Sequence, residues 1–367
     1  MTLTAEHVRD ALRTVQDPDL HKDLVTLNMV KAVSVDGDTV DVTIELTTPA
    51  CPMKDKIQAD IEAAIRGKAG AAGASTPDIR VTFTADVRRP NEKAREQQSP
   101  LPDVKHVIAV GAGKGGVGKS SIAVSLAIGL ARMGAKTGLL DGDIYGPSMT
   151  TMLGLGAMAP SMKGNILMPF EAHGIRAMTI GKLVEPDKAL IWRGPMAHGA
   201  FKQLATQTDW GALDYLVVDL PPGTGDVPLT LAQLLPLTGA VVVCTPQQVA
   251  RDDARRAIRM FQQLGVEILG VVENMSYFIG DDGKTYDIFG RGGAELLAQE
   301  MNVPFLGAIP IHMDMRANLD AGQPLKNWDA NPTLAAELDR VCRSVASRVS
   351  IATMGGGQYV QPTLSVR

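Results

Sequence analysis

The run Val107-Ile-Ala-Val110 leads straight into Gly111-Ala-Gly-Lys-Gly-Gly-Val-Gly-Lys119-Ser120, and no other stretch restricts the fold so tightly. From Gly113 it reads G-x-x-x-x-G-K-S, a loop whose glycines let backbone N–H groups converge on phosphate oxygens. Such a loop works between a strand and the amino end of a helix, where the helix dipole meets the anion. The pattern predicts a nucleotide site built from Gly113, Lys114, Gly115, Gly116, Val117, Gly118, Lys119, Ser120 and Ser121. Lys119 is expected to reach the β- and γ-phosphates of ATP, and Ser120 to offer its hydroxyl to Mg2+. The overlapping Gly111-x-Gly113-x-x-Gly116 also fits a dinucleotide fold, with Asp141 as its acidic residue. That alternative leaves Lys119-Ser120 and a second acidic strand end unexplained.

The chain around the loop has the matching rhythm. From Lys105, short apolar runs alternate with helical patterns: VIAV, then 119–133; TGLLD; YLVVD, then 227–235; AVVVC, then 249–264; ILGVV, then 291–301. This is the signature of βαβ units in a doubly wound, parallel α/β sheet. The phosphate-binding domain is expected over 105–350, with a disordered tail at 351–367. Ahead of it, Val8, Ala11, Leu12 and Val15 follow a helical period behind the N-cap Thr4. Val33 and Val35, then Asp36-Gly37, then Val40 to Leu46 read as a hairpin. Pro52 opens a helix with Ile57, Ile61 and Ile65 on one face and Gly67 at its end. Ile79 to Ala85 alternates as a third strand. A small α+β domain at 1–88 is thus expected, joined by a polar, proline-bearing linker at 89–104.

Two acidic strand ends supply the rest of the site. Tyr215-Leu-Val-Val-Asp219 places a carboxylate where such folds hold Mg2+, and Pro221-Pro-Gly-Thr-Gly-Asp226 suits a γ-phosphate-sensing switch. Leu139-Leu-Asp141-Gly-Asp143 ends another strand beside the phosphates.

Composition removes several classes. With 36 basic and 40 acidic residues the net charge is −4, which argues against a broad nucleic-acid surface. Aromatic residues are 4% of the chain, too few for a base-stacking platform. Three cysteines are too few for a disulfide framework. The first residues lack the apolar core of a secretory signal, and the longest apolar stretch, near 121–135, is broken by Gly129 and Arg132. A cytoplasmic protein is expected, with no stable membrane anchor.

Lys114 and Lys119 stand five apart in one loop, more cation than a single triphosphate needs from its own subunit. The loop resembles the deviant K-G-G-x-G-K-S form of the ParA, MinD and nitrogenase-iron-protein class. That resemblance implies an ATP-dependent homodimer in which Lys114 crosses to the partner's nucleotide. It also implies that Asp143 orients the attacking water, that Asn274 contacts the adenine and that Pro310 flanks it. Lys114, Lys119 and Asp143 become the catalytic candidates, with Ser120 and Asp219 for Mg2+.

A longer series narrows the resemblance: DGDIYGPS, Trp192-Arg-Gly-Pro-Met196, WGALDYLVVDLPPGTGD, CTPQ, ENMS, Ile288-Phe-Gly290 and Gly292-Gly-Ala294 occur in order. Together they are similar to the Mrp/ApbC-type iron–sulfur cluster carrier ATPases over roughly 105–345. Residues 1–88, with Thr48-Pro-Ala-Cys51-Pro52, resemble the iron–sulfur-assembly domain fused in front of bacterial members. The resemblance implies a homodimer that assembles or transfers clusters, with scaffold and acceptor apoproteins as partners and no nucleic acid. The family's usual C-x-x-C, which bridges a [4Fe–4S] cluster between subunits, falls shortly after ENMS. Here that loop reads Tyr277-Phe-Ile-Gly280-Asp281-Asp282-Gly283, with glycines about where the cysteines would stand. Carboxylates replace thiolates poorly on such clusters.

Three cysteines remain. Cys244, in an apolar strand, and Cys342, in a helical segment, read as packing residues. Cys51 precedes a helix start, where the dipole would lower its pKa and make it an iron ligand or reactive group. A capping or buried cysteine is the alternative. The favoured function is an ATP-hydrolysing cluster carrier. A cluster-free switch ATPase that docks partner proteins is the alternative the missing C-x-x-C leaves open. A DNA-partition ATPase fits neither the net charge nor the Trp-Arg-Gly-Pro motif.

Overall fold

The computed structural model describes residues 3–71, 73, 75–87, 99–143, 146–182, 194–329 and 331–354. Helix α1 (Ala5–Leu12) starts at Thr4, whose side chain accepts the His7 N–H at 3.3 Å. Strands β1 (Val30–Asp36) and β2 (Thr39–Leu46) form the expected antiparallel hairpin, and Gly37 takes φ +58° in its turn. Helix α2 (Lys54–Ala71) crosses over to β3 (Asp78–Ala85), which pairs parallel to β2. Ile57, Ile61 and Ile65 are buried against Val8, Leu12, Val40, Val42 and Ile44 in one apolar cluster.

Two local expectations are corrected. Val15 is buried but lies beyond α1, which ends at Leu12. Tertiary burial, rather than helical period, places it inward. Gly67 does not end α2, which runs four residues further. Gly costs only about 1 kcal/mol inside a helix, and the Ile57–Ile61–Ile65 face carries the helix past it.

The second cluster is built on β4 (Val104–Gly111), α3 (Lys119–Arg132) and β5 (Thr137–Asp141). A small hairpin follows, β6 (Ser161–Lys163) and β7 (Ile166–Met168), and then β8 (Phe170–Ala172) and β9 (Ile175–Thr179). Helix α4 (Gly194–Thr206), β10 (Leu213–Asp219), α5 (Asp226–Leu234) and β11 (Leu237–Cys244) come next. Helix α6 (Gln248–Gln263), β12 (Ile268–Glu273), a hairpin of β13 (Phe278–Ile279) and β14 (Thr285–Tyr286), and α7 (Gly293–Met301) follow. β15 (Phe305–Ala308) and α8 (Pro332–Met354) complete the labelled elements. The main sheet runs β15-β12-β11-β4-β10-β5-β9-β8, parallel throughout except for the edge strand β8. The chain moves one way across the sheet from β4 to β5 and the other way from β11 to β12. With right-handed crossovers, that reversal puts α3 and α6 on opposite faces. The switch in direction falls beside β4, where ligands of doubly wound sheets bind.

The two clusters are tied together. Ala50 and Val87 are buried in the larger one, and Met354 packs on the smaller. Tyr215 donates to Thr48 Oγ1 at 3.0 Å, and Ser347 donates to Asp19 at 2.7 Å. Helix α8 carries regular structure past the expected start of the tail, because its own Val345, Ala346 and Val349 are buried. Leu101 is buried and β4 already begins at Val104, so the expected linker gives way to ordered chain before its end. Residues 89–98 of that linker, with Arg88 before it, Ile144-Tyr145, Trp192-Arg193 of the Trp-Arg-Gly-Pro motif and residues 355–367 lie outside the described residues.

Candidate nucleotide site

The strand β4 ends at Gly111, and α3 begins eight residues later behind Gly118, which takes φ +79° and supplies no side-chain cap. The first N–H groups of α3 are therefore left for an anion. Two glycines are required by contact as well as by phosphate approach. A Cβ on Gly113 would sit 2.1 Å from the Asp253 backbone, and one on Gly118 would sit 2.1 Å from Asn274 Nδ2.

Lys119 is buried, and its Nζ lies 2.5 Å from Asp219 Oδ1, 3.3 Å from Ser120 Oγ and 3.9 Å from Asp143 Oδ2. The Ser120 hydroxyl donates to Asp219 Oδ2 at 2.6 Å. Lys119, Ser120, Asp143 and Asp219, read separately from the sequence, thus meet in one cluster. Strand pairing sets the acidic row: Asp219 is in register with Asp141, and Asp141 with Thr179. Thr179 donates to Asp141 Oδ2 at 2.9 Å. Burial, reinforced by the negative charge of Asp219, pushes the Asp141 carboxyl up to about 7. Burial also raises Asp219, against the opposing pull of Lys119. Thr179 was not legible as a site residue, because only the β5–β9 register brings it there.

A hydroxyl and a fully buried carboxylate side by side are a hard-oxygen donor set suited to Mg2+. When bound, the ion neutralises phosphate charge; Ser120 and Asp219 are the residues that fit it. Asp143 is held by its own turn, its Oδ1 accepting the Gly146 N–H at 3.2 Å. Lys114 is half-buried at the mouth of the loop, and among the described residues it has no ion pair. The switch segment is tied to the loop where Gly223 N–H donates to Ala112 O at 2.9 Å.

Asn274 is buried beside the phosphate loop. Its Nδ2 donates to Val117 O at 2.9 Å, so in this structure it braces the phosphate loop. Pro310 is buried between Ile309 and Ile311, whose N–H groups donate to Glu273 O and Tyr277 O. Cys51 departs from expectation. Helix α2 begins only at Lys54, and burial, not the helix end, dominates the thiol, pushing it up to about 11. Cys244 is raised to about 12 and Cys342 higher still, both by burial, as packing residues should be. No group of three or more metal-ligating side chains exists among the described residues.

The loop that stands where the resemblance places a C-x-x-C is a closed hairpin. Gly280 N–H donates to Lys284 O at 2.9 Å, and Asp282 accepts from Lys284 N–H at 3.0 Å and Tyr286 Oη at 2.9 Å. Its base is pinned by the buried Glu273, which accepts from Ser276 Oγ at 2.5 Å, Gly292 N–H at 2.9 Å and Ala294 N–H at 2.7 Å. Glu273 thereby caps α7, whose own N-cap is Gly292. Sequence reading passed over it; a glutamate closing an apolar strand was the available signal.

A two-lysine phosphate loop, a strand-end carboxylate beside its serine and a second acidic strand end define a P-loop NTPase. Residues 103–346 match the family described as NUBPL iron-transfer P-loop NTPase, and residues 5–75 match the family described as iron-sulfur cluster assembly protein. The chain belongs to the NUBPL iron-transfer P-loop NTPase family. It is 46% identical to a Synechocystis protein over 96% of this chain and 99% of that one. It is 48% identical to a Deinococcus radiodurans protein over 94% of this chain and 95% of that one. Both relatives are named iron-sulfur cluster carrier protein. Among solved structures, a nucleotide-binding protein from Archaeoglobus fulgidus in complex with ADP is 37% identical, with a TM-score of 0.56. The match covers 61% of this chain and 89% of that one. The cell-division ATPase MinD of Pyrococcus furiosus shares the fold at 18% identity and a TM-score of 0.50, covering 65% of this chain and 98% of that one. Among the described residues, no helix is long and apolar enough to cross a membrane.

Proposed function

We propose that the chain acts as a homodimeric, ATP-hydrolysing carrier in the cytoplasm that holds an iron–sulfur cluster as cargo and passes it to acceptor apoproteins. The observation that carries this reading is the likeness to cluster carriers along nearly the whole chain, through both the small unit and the NTPase. In the catalytic cycle Lys119 exchanges Asp219 for the β- and γ-phosphates, and Ser120 and Asp219 are the residues that would hold Mg2+, which would offset phosphate charge. Asp143 positions the attacking water. Lys114, free of a partner on its own subunit among the described residues, reaches the nucleotide of the second subunit and offsets charge developing in the transition state.

Cys51 is the cysteine with exposed surface, and we assign cargo contact to it. Its raised pKa means that iron must displace a proton on binding, so loading is favoured at higher pH. A second reading, a cluster-free switch that docks partners, draws support from the thiol-free hairpin at 278–286. Anaerobic reconstitution with iron and sulfide, on wild type and Cys51→Ala, separates the two. Absorption and iron per dimer that vanish in Cys51→Ala support the carrier reading with cargo on the small unit. Iron retained in the variant keeps the carrier but rejects Cys51, and no iron in wild type leaves the switch.

A further inference from the structure

The end of β9 reaches the residue assigned to the attacking water through a single carboxyl. Thr179 closes that strand and is fully buried. Its hydroxyl is committed on both sides. The oxygen accepts the Gly181 N–H at 3.1 Å, and the O–H donates to Asp141 Oδ2 at 2.9 Å. Asp141, also fully buried, passes that direction on. Its Oδ1 accepts the Asp143 N–H at 3.1 Å, and its Oδ2 also accepts the Met149 N–H at 3.4 Å. One carboxyl thus holds the backbone at residues 143 and 149.

The remaining supports of this backbone are rigid contacts. Gly142 N–H donates to Asp219 O at 2.8 Å, and a Cβ on Gly142 would meet that same oxygen at 2.8 Å. The chain therefore leaves β5 pressed onto the strand end that carries Asp219. Beyond Asp143 the turn after Thr179 gives support: a Cβ on Gly181 would lie 2.9 Å from Thr150 Oγ1 and 3.1 Å from Pro147 Cβ. The Asp141 carboxyl is the part that can swing, because an aspartate turns freely about its last torsion. The long bond from Met149 restrains it weakly. The shorter bond from Thr179 sets its angle. A swing would take Oδ1 off the Asp143 N–H and let Asp143 shift against Lys119, which lies 3.9 Å from its Oδ2. For a group that must place one water in line, a shift of about 1 Å is costly.

We propose that Thr179 is a positioning residue for ATP hydrolysis: its hydroxyl fixes Asp141, and Asp141 fixes Asp143 at the attacking water. The inference rests on the role given to Asp143 above and deepens it. Thr179 acts through the two carboxylates and not on the nucleotide, so it governs turnover and leaves binding alone.

The test uses the full chain with Mg2+ and ATP, in steady-state hydrolysis and fluorescent-nucleotide titration. Thr179→Val keeps the shape and loses the donor. Its kcat is expected to fall about tenfold while KM and nucleotide affinity stay within about twofold. Thr179→Ser keeps the donor and loses the methyl, and it should restore most of the turnover. In the Asp143→Ala background, Thr179→Val should cost nothing further, because the group it places is already gone. Should Thr179→Val fail to fold, Thr179→Ala takes its place in each comparison, leaving room for a water at Asp141. Wild-type turnover without the hydroxyl, a loss carried by KM, a serine variant as slow as the valine one, or losses that multiply in the double variant overturn the role of Thr179 alone. Asp143→Ala hydrolysing at the wild-type rate overturns the reading of Asp143 and this inference with it.

Discussion

Two glycine-bearing loops leave parallel strands at the same edge of the sheet and enter helices, and they use glycine for opposite ends. The loop after β4 buries a lysine amid three carboxylates and leaves helix N–H groups without a cap. The loop after β12 spends its polar groups on itself: Asp282 closes the hairpin and Glu273 caps α7. The first is incomplete until phosphate arrives; the second is complete and turns apolar side chains outward. A polar group withheld from internal bonds marks a ligand site, whereas a satisfied loop with apolar exposure marks a contact. Glycine content alone does not distinguish them.

The sharpest way to break the comparison is at the phosphate loop. Lys119→Ala removes the cation from beside two buried carboxylates and from the phosphates. ATP affinity should fall at least 100-fold in a fluorescent-nucleotide titration, a loss of about 3 kcal/mol at about 1.4 kcal/mol per decade. Retained binding would show that the loop does not depend on its buried lysine. Lys114→Ala should leave affinity within a fewfold and lower turnover about 100-fold, in the range for losing one transition-state donor. Hydrolysis at the wild-type rate would reject the role in trans. Asp143→Ala should bind ATP, hydrolyse it slowly and accumulate as an ATP-bound dimer; finding only monomer with ATP present rejects the water-positioning role.

The second loop should respond in another currency, local order instead of turnover. Glu273→Gln keeps the shape but loses charge-assisted acceptance from two backbone N–H groups, bonds worth about 1.5–3 kcal/mol each. Amide exchange should rise across 275–294 and not across 111–120. Equal acceleration in both loops would mean that they are not separate structural units.

Much of this edge was legible in the sequence. Strands buried on both faces of a parallel sheet read as unbroken apolar runs, so VIAV, TGLLD, YLVVD, AVVVC and ILGVV each fall inside a strand. Lys119, Ser120, Asp143 and Asp219 sit on strand ends or at the helix start, and their types alone announce phosphate chemistry. What escaped depends on register or on distant partners. Thr179 reaches Asp141 only through the β5–β9 pairing, and Asn274 finds Val117 across 157 residues. For Cys51 the local position suggests a helix dipole, while the packed surroundings that raise its pKa come from the fold. The hairpin 278–286 has two-residue strands, too short for any period to reveal.

The smallest predicted effect lies in the acidic row. Asp141 is raised from the model-compound value of 3.8 to about 7, chiefly by burial. Between those values the native chain holds a proton that the unfolded chain has released, so protonated Asp141 favours folding. That contribution is fully present below about pH 4, declines through the window and is gone above about pH 7. Asp141→Asn stays neutral at every pH and should flatten this part of the stability profile. Chemical denaturation of the nucleotide-free protein at pH 5 and pH 8 should therefore show the variant gaining on wild type at the higher pH. A gain confined to pH 5, or none, would mean that Asp141 is ionised in the folded chain. Lys119 would then be neutralising both strand-end carboxylates, a pair of buried charges that the phosphate loop would have to hold apart without a proton.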